Sequence, residues 1–291
     1  MAEKTRADLV AEVARRFGYY QRGTVDVGTT TTIQDTAGLL APDDYWIGHY
    51  ATIVTDAGGE GAAPEGEERP VTDYVQSTAT LVVDPPFSAQ VGSDDVYELL
   101  PIPRSEIEAA LAAGVRAAGE TWLRVVQDTT TVEIADGDYD YDLPTDLARL
   151  LAVWVMSGTS AVWSPVAGRL WRVSGTPGAQ ELLFDSLQDL ADGSTVMLEY
   201  LARPSELSAD SSTLGLGEPA ETELVEFVVD WALFWLHDQA AAVAQAGAEF
   251  RPHLTQAQYY REAADAVRAR AARFHGRGTV RGARWARVRS R

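Results

Sequence analysis

Residues 221–237 read ETELVEFVVDWALFWLH, and this stretch decides the fold. It predicts a helix over 221–247 with apolar side chains on nearly every side. A helix that is apolar all round is buried on most sides, so it lies at the centre of a domain or carries subunit packing. We assign that core or subunit-packing role to six residues: Leu224, Phe227, Val228, Trp231, Phe234 and Trp235.

Three further helices are predicted from capping boxes, in which a Ser or Thr and an acidic or amide side chain three positions later cap each other's backbone. Thr5 with Asp8 begins a helix that Gly18 ends. Ser105 with Glu108 begins one over 105–119. Thr255 with Gln258 begins the last one, which runs to about Phe274.

Two stretches between these helices have the composition of strands. From Tyr19 to about Leu100, short β-branched runs alternate with Gly, Pro and Asp, which predicts a small antiparallel β module of about five or six strands. Residues 121–204 are again strand-like, with candidate strands at 129–134, 150–155, 169–173, 181–184 and 195–200.

The order of elements predicts an α+β fold with an insertion. Residues 1–20 and 101–275 form a helical core domain with additional β-strands over 121–204. Residues 21–100 are the inserted β module, and 276–291 an extended basic C-terminal arm. Two consecutive domains are the alternative, because 291 residues suffice for either arrangement.

Charge is distributed unevenly along the chain. The 43 acids all precede residue 266, whereas nine of the 24 bases fall after residue 267, so the body carries −28 and the tail +9. A basic arm on so acidic a body indicates docking on an acidic protein surface; contact with nucleic acid and a solubilising tail are the alternatives. The predicted docking residues are Arg277, Arg281, Arg284, Trp285, Arg287, Arg289 and Arg291.

No residue pattern indicates catalysis. Cysteine is absent, which excludes thiolate metal sites and a cysteine nucleophile. The four histidines, His49, His237, His253 and His275, lack zinc-site spacing, so His237 is interpreted as a packed or capping residue. The carboxylate clusters at 43–44, 94–95 and 138–142 are interpreted as solvated turns. We therefore predict no catalytic residue, metal or cofactor, and no secretory signal or membrane span.

A family resemblance rests on phrases that follow one another in a fixed order. They are GTTTTIQDT (28–36), DDYWIG (43–48), RPVTDY (69–74), TLVVDPPFS (80–88) and GSDDVYEL (92–99), followed at once by the helix RSEIEAAL (104–111). In this order they resemble the β insertion of tailed-bacteriophage head–tail adaptor (connector or neck) proteins. YDLPTDL (141–147), EYLARP (199–204) and the closing helices resemble phage neck proteins with a helical core.

The resemblance implies a virion structural protein rather than an enzyme. Such adaptors assemble in the host cytoplasm as a ring, usually dodecameric, below the portal protein, and they join the capsid to tail or nozzle proteins. Double-stranded DNA passes through them without sequence recognition. A C-terminal segment typically docks on the portal, which the basic arm matches in position. Tyr45, Trp46 and Tyr50 are possible contacts to a tail protein, although core packing is favoured for Trp46.

Two other classes of protein remain open from sequence. One is a β-rich carbohydrate-binding virion or surface protein, in which Trp46, Trp163 and Trp171 are stacking platforms. The other is an acid/base hydrolase that uses the aspartate clusters, which requires two carboxylates to converge in a pocket.

Overall fold

The computed structural model confirms a mixed α and β fold with antiparallel sheets. It describes residues 3–57, 64–119, 121–135, 138–156, 162–176, 178–185, 194–215, 220–244 and 250–278. Within these ranges four α-helices occur in the order α1 (Arg6–Phe17), α2 (Arg104–Ala118), α3 (Ala220–Ala244) and α4 (Phe250–Gly278).

The four helices share one hydrophobic cluster with α3 at its centre. α3 packs against α4, α2 and α1. α1 and α2 each turn one apolar stripe toward α3, and their side chains such as Leu9, Val13, Ile107 and Leu111 are fully buried in the cluster. Gly114 of α2 allows a close approach, since a Cβ there would lie 2.9 Å from the Val228 carbonyl oxygen of α3.

Seven strands between α1 and α2 form one antiparallel sheet. Their order across the sheet is β1-β7-β4-β5-β6-β3-β2. The strands are β1 (Gln21–Thr24), β2 (Val27–Gly28), β3 (Thr32–Gln34), β4 (Tyr50–Thr55), β5 (Glu68–Val75), β6 (Thr80–Val83) and β7 (Val96–Leu100). The prediction of five or six strands was short because β2 has only two residues, too few to show a period.

Seven more strands lie between α2 and α3 and form two sheets. They are β8 (Arg124–Asp128), β9 (Asp140–Asp142), β10 (Leu147–Met156), β11 (Ser164–Pro165), β12 (Trp171–Thr176), β13 (Ala179–Phe184) and β14 (Thr195–Ala202). The orders are β11-β10-β14-β8 and β12-β13-β9. The side chains of the seven-stranded sheet and its loops form a second hydrophobic cluster. Those of the strand region between α2 and α3 form a third.

Thr5 caps α1 as predicted, because its side chain accepts from the Asp8 amide while Asp8 accepts from the Thr5 amide. The capping box at Ser105 was wrong. α2 begins at Arg104 with Pro103 as N-cap and no local side-chain cap. Glu68 of β5 takes that role from 37 residues away, accepting from the Ser105 amide at 3.3 Å and its hydroxyl at 2.5 Å.

The predicted bounds of the last helix were also wrong. α4 begins at Phe250, five residues before Thr255, whose hydroxyl donates to the Arg251 carbonyl inside the helix at 2.9 Å. The backbone of 276–278 is helical rather than extended: it continues the last turn of α4, although the glycines at 276 and 278 have low helix propensity.

The strand predicted at 129–134 was wrong. Asp128, which ends β8, accepts hydrogen bonds from the amides of Thr130 at 2.8 Å and Thr131 at 3.3 Å, and this side-chain turn competes with strand pairing. A single bridge between Glu133 and Thr195 remains there.

Candidate assembly surfaces

The predicted docking arm falls almost wholly outside the described residues. Of its members, only the backbone of Arg277 is described, in the last turn of α4. The arm therefore stays a prediction from charge and position.

The six residues assigned to α3 divide by burial. Leu224, Phe227 and Val228 are fully buried within the chain. The Phe227 ring also packs at a tilt against Trp122, with ring centroids 4.8 Å apart. The other three, Trp231, Phe234 and Trp235, are half-buried; Trp231 and Trp235 pack against the helical cluster, and the Phe234 ring contacts Trp231. α3 is thus the centre of the helical cluster, and a subunit contact remains a prediction for its half-buried aromatic side chains.

Trp46 anchors an aromatic group beneath the surface of the seven-stranded sheet. Its side chain is 2% exposed, and its ring centroid lies 4.7 Å from that of Tyr45 and 4.8 Å from that of Tyr19. This confirms the core-packing role that the sequence favoured for Trp46. Tyr45 is half exposed and Tyr50 is partly buried, so these two offer the accessible side chains of the predicted tail-protein contact.

The loop that carries Tyr45 and the strand beside it expose further apolar side chains that sequence reasoning missed. The loop 39–48 lies alongside β5, because the amides of Asp44 and Gly48 donate hydrogen bonds to the carbonyl oxygens of Tyr74 and Val71. Exposed apolar side chains on this loop and strand are Leu40, Ile47 and Val75. The available signal was the unusually apolar composition of a loop.

The aromatic side chains proposed as sugar platforms do not form one surface. Trp46 is enclosed in the cluster of the seven-stranded sheet, whereas Trp171 packs against the cluster of the later strands. Trp163 is half-buried. Because Trp46 offers no free ring face, the geometry gives the carbohydrate-binding alternative no platform there.

The aspartate clusters are only partly the solvated turns that the sequence predicted, because Asp140 and Asp142, although exposed, belong to strand β9, which pairs with β13. Asp43 accepts from the Gln76 amide, and Asp44 is exposed, as expected for turns. Asp95 differs from the solvated turn predicted for it: it is fully buried and accepts from the amides of Ala57 and Gly92 at 2.9 and 2.8 Å. Among the described residues no three His, Asp or Glu side chains group as a metal site requires. Across the same ranges, no helix combines the length and the hydrophobicity that crossing a membrane requires.

An ionic network joins the seven-stranded sheet to the helices, and no sequence pattern pointed to it. Arg104 of α2 contacts Glu98 of β7 at 2.5 Å, and it also contacts Glu108 at 2.9 Å and Asp210 at 2.5 Å. Burial by itself lowers the pKa of Arg104, but the carboxylates around it, Glu98 foremost, raise that pKa above its usual value. The guanidinium group is therefore held in its charged form at the contact between sheet and helix.

Two further groups extend this network. Arg6 of α1 contacts Glu108 and Asp210, at 3.3 and 2.8 Å. Tyr20 donates to Glu98 at 2.9 Å, and burial together with this carboxylate raises the pKa of Tyr20 to about 12. Residues far apart in the chain thus bind one buried carboxylate, which is why sequence spacing does not reveal the site.

A cleft of about 420 Å³ opens beside the network, between β4, the start of α2 and the segment before α3. Its lining includes Thr52, Glu65, Glu68 and Ser208 in addition to network members. The cleft is polar and mixed in charge, unlike the apolar pockets that hold most small-molecule ligands.

His237 is packed, as predicted, and it has a partner that the sequence did not indicate. Its Nδ1 lies 3.0 Å from Nδ1 of His253 on α4, and its ring stacks on Phe17 of α1 with centroids 4.6 Å apart. Burial lowers the pKa of His237 to about 4, and nearby His253 acts in the same direction. His237 is therefore neutral near pH 7, and its ring joins three helices by stacking.

Comparison with known proteins identifies one family. A family model described as SU10 adaptor protein matches residues 93–284, about two thirds of the chain. The matched range begins just before β7 and includes all of α2, α3 and α4. Comparison with curated proteins gave no significant match.

Proposed function

Because the chain belongs to the SU10 adaptor protein family, we propose that it is the phage head–tail adaptor that forms a ring below the portal. The ring joins the capsid to tail or nozzle proteins at the neck of the virion and lines the channel for double-stranded DNA. The family match carries this proposal. It supports a structural phage component rather than an enzyme.

We propose three units for this role, as the sequence indicated. The helical core is 1–20 with 101–275, the β module is 21–100, and the arm is 276–291. Pairing of β1 with β7 supports an insertion, because it places Gln21 opposite Leu99 and so brings the two ends of the module together. The β module also has a hydrophobic cluster of its own, separate from that of the helices, which further supports it as a unit; the strands of 121–204 have a third cluster.

Charge supports the passage of DNA. Each copy carries −19, so a dodecamer carries about −230, twelve times that value. A channel of this sign repels the phosphate backbone, and DNA slides through without being held. The arginine arm is the basic exception, and we propose that it docks on an acidic surface of the portal.

Co-sedimentation with the portal protein of the same phage, followed by negative-stain microscopy, tests this function. Truncation must follow Gly278, because cutting at Arg268 would remove the last turns of α4. A sharper variant is the full-length chain with Arg281, Arg284 and Arg287 changed to Gln. Its matched control changes Arg149, Arg169 and Arg172, exposed arginines of the strand region, to Gln.

We expect rings on the portal with the wild type and the control, and at least a tenfold loss of binding for the arm variant. Equal binding by all three chains would remove the docking role from the arm and leave the adaptor role in place. Failure of the wild type to bind at low and moderate salt would overturn the adaptor proposal for that portal.

A further inference from the structure

The cleft beside the ionic network contains a row of polar side chains. The register places Thr52 of β4 directly opposite Glu68 of β5 and Glu98 of β7. Directly opposite residues of neighbouring strands share a face of the sheet. Glu68 and Glu98 reach Ser105 and Arg104 of α2, so Thr52 between them faces the same cleft, which it lines.

Thr52 has an unused hydrogen-bonding group there. Its side chain is 1% exposed, and its hydroxyl has no partner among the described residues. Leaving a buried hydroxyl unsatisfied costs roughly 1–3 kcal/mol, which a bound donor would remove. The unpaired hydroxyl, which can accept or donate, therefore indicates that the cleft accommodates a polar group.

The charge of the lining decides which donor fits. Four carboxylates, those of Glu65, Glu68, Glu108 and Asp210, face two guanidinium groups, and both guanidinium groups already have carboxylate partners. The excess negative charge favours a cation. A guanidinium group supplies five donors in a planar fork, which matches carboxylates and a hydroxyl acceptor arranged around one space.

We propose that this cleft binds an arginine side chain from the C-terminal arm of a second copy of the chain. The proposal rests on the proposed ring, because a closed ring requires two different patches of one chain to meet between neighbours. The acidic cleft and the basic arm are such a pair. One arginine fills the cleft, so the remaining arginines of the arm stay available for the portal.

The absence of cysteine from the chain allows a direct test by disulfide formation between full-length chains. One chain carries Glu65→Cys, and the other carries Arg281→Cys, Arg284→Cys or Arg287→Cys in turn. The matched control is Glu106→Cys, an exposed position in the first turn of α2 that does not line the cleft. Oxidation is carried out in solution and on rings assembled with the portal.

We expect a cross-linked pair of chains with Glu65→Cys at fivefold or higher yield than with Glu106→Cys. Thr52→Val should lower this yield severalfold without lowering the unfolding midpoint, since it removes only an unpaired hydroxyl. A cross-link within one chain, from a doubly substituted chain at high dilution, would overturn the second-copy assignment. Equal cross-link yields with Glu65→Cys and Glu106→Cys would overturn the cleft as the binding site of the arm. So would the absence of any cross-link both in solution and on rings. Rings that form without this cross-link leave the adaptor role standing.

Discussion

Arg104 is the residue on which the contacts between sheet and helices converge. It is 6% exposed, and the Glu98 carboxylate beside it is 1% exposed. A buried pair adds little net stability compared with apolar replacements, but removal of one partner leaves an uncompensated charge away from water. The network therefore acts mainly as a constraint on how β7 meets α2.

Arg104→Met should lower the free energy of unfolding by about 3–5 kcal/mol, because Glu98 loses its closest cation. Urea denaturation measures this change. Addition of Glu98→Gln to the same chain should restore at least half of the loss. Strictly additive effects of the two substitutions would show that the pair is not coupled.

Gly114 shows how one missing side chain sets a helix contact. Gly114→Ala should destabilise the chain by about 1–3 kcal/mol, because the new Cβ overlaps the Val228 carbonyl. Helix propensity alone predicts the opposite sign, a gain of about 1 kcal/mol. Thermal unfolding decides the sign, with Gly168→Ala as the control, where a Cβ meets no atom within 4 Å. A raised midpoint for Gly114→Ala would contradict the close approach of α2 and α3.

At the scale of elements, three helices carry the same capping-box pattern in sequence, but the residues that carry it play different parts in the structure. α1 begins with a local capping box, α2 is capped by a glutamate of strand β5, and Thr255 lies well inside α4. The same sequence motif thus marks a true cap in α1, a residue capped from a distant strand in α2, and an interior position in α4.

Thr5→Ala should cost about 1 kcal/mol, because it leaves the Asp8 amide without its acceptor. Thr255→Ala should be neutral or stabilising by about 0.5 kcal/mol, since alanine favours the interior of a helix. Urea midpoints of the two variants provide the comparison. An equal loss for both would restore Thr255 as a helix cap.

At the scale of the whole molecule, Asp230 and His237 are two buried groups that hold α1 to α3 and α4. They change the stability of the chain in opposite directions when the pH falls. Burial raises the pKa of Asp230 to about 6, although Arg16, whose nitrogen lies 3.2 Å away, opposes this effect; Glu226 and Glu12 add to it. Burial lowers the pKa of His237 to about 4. Because the pKa of Asp230 is raised, its contribution to the free energy of unfolding increases as pH falls from about 6 towards 4. Because the pKa of His237 is lowered, its contribution to the free energy of unfolding decreases as pH falls from about 6.5 to 4.

The two contributions nearly cancel in the wild type, because each changes the free energy of unfolding by at most about 3 kcal/mol and their signs are opposite. Relative to the wild type, Asp230→Asn should therefore lose stability on acidification from about pH 7 to 4, whereas His237→Phe should gain it. Phenylalanine preserves stacking on Phe17 while it removes the titrating ring. Urea midpoints across this range test the two slopes, and slopes of the same sign would refute the assignment.

The sequence by itself determined the presence of the four helices and the family of this protein, but not every helix boundary or strand. Amphipathic stripes, the apolar run at 221–237 and the capping box at Thr5 each act within a few residues, and the order of the turn phrases identified the adaptor resemblance that the family match supports. The sequence also favoured burial of Trp46, because large apolar side chains are mostly buried in folded proteins.

Only the tertiary structure decided which distant groups meet. Glu68 caps α2 from 37 residues away, Arg104 binds Asp210 across 106 residues, and His253 reaches His237 through the packing of α4 on α3. These contacts depend on strand register and helix packing, which bring together residues that no spacing rule relates. The cleft at Thr52 belongs to this second group, because its row of side chains exists only when β5, β4 and β7 pair in one register.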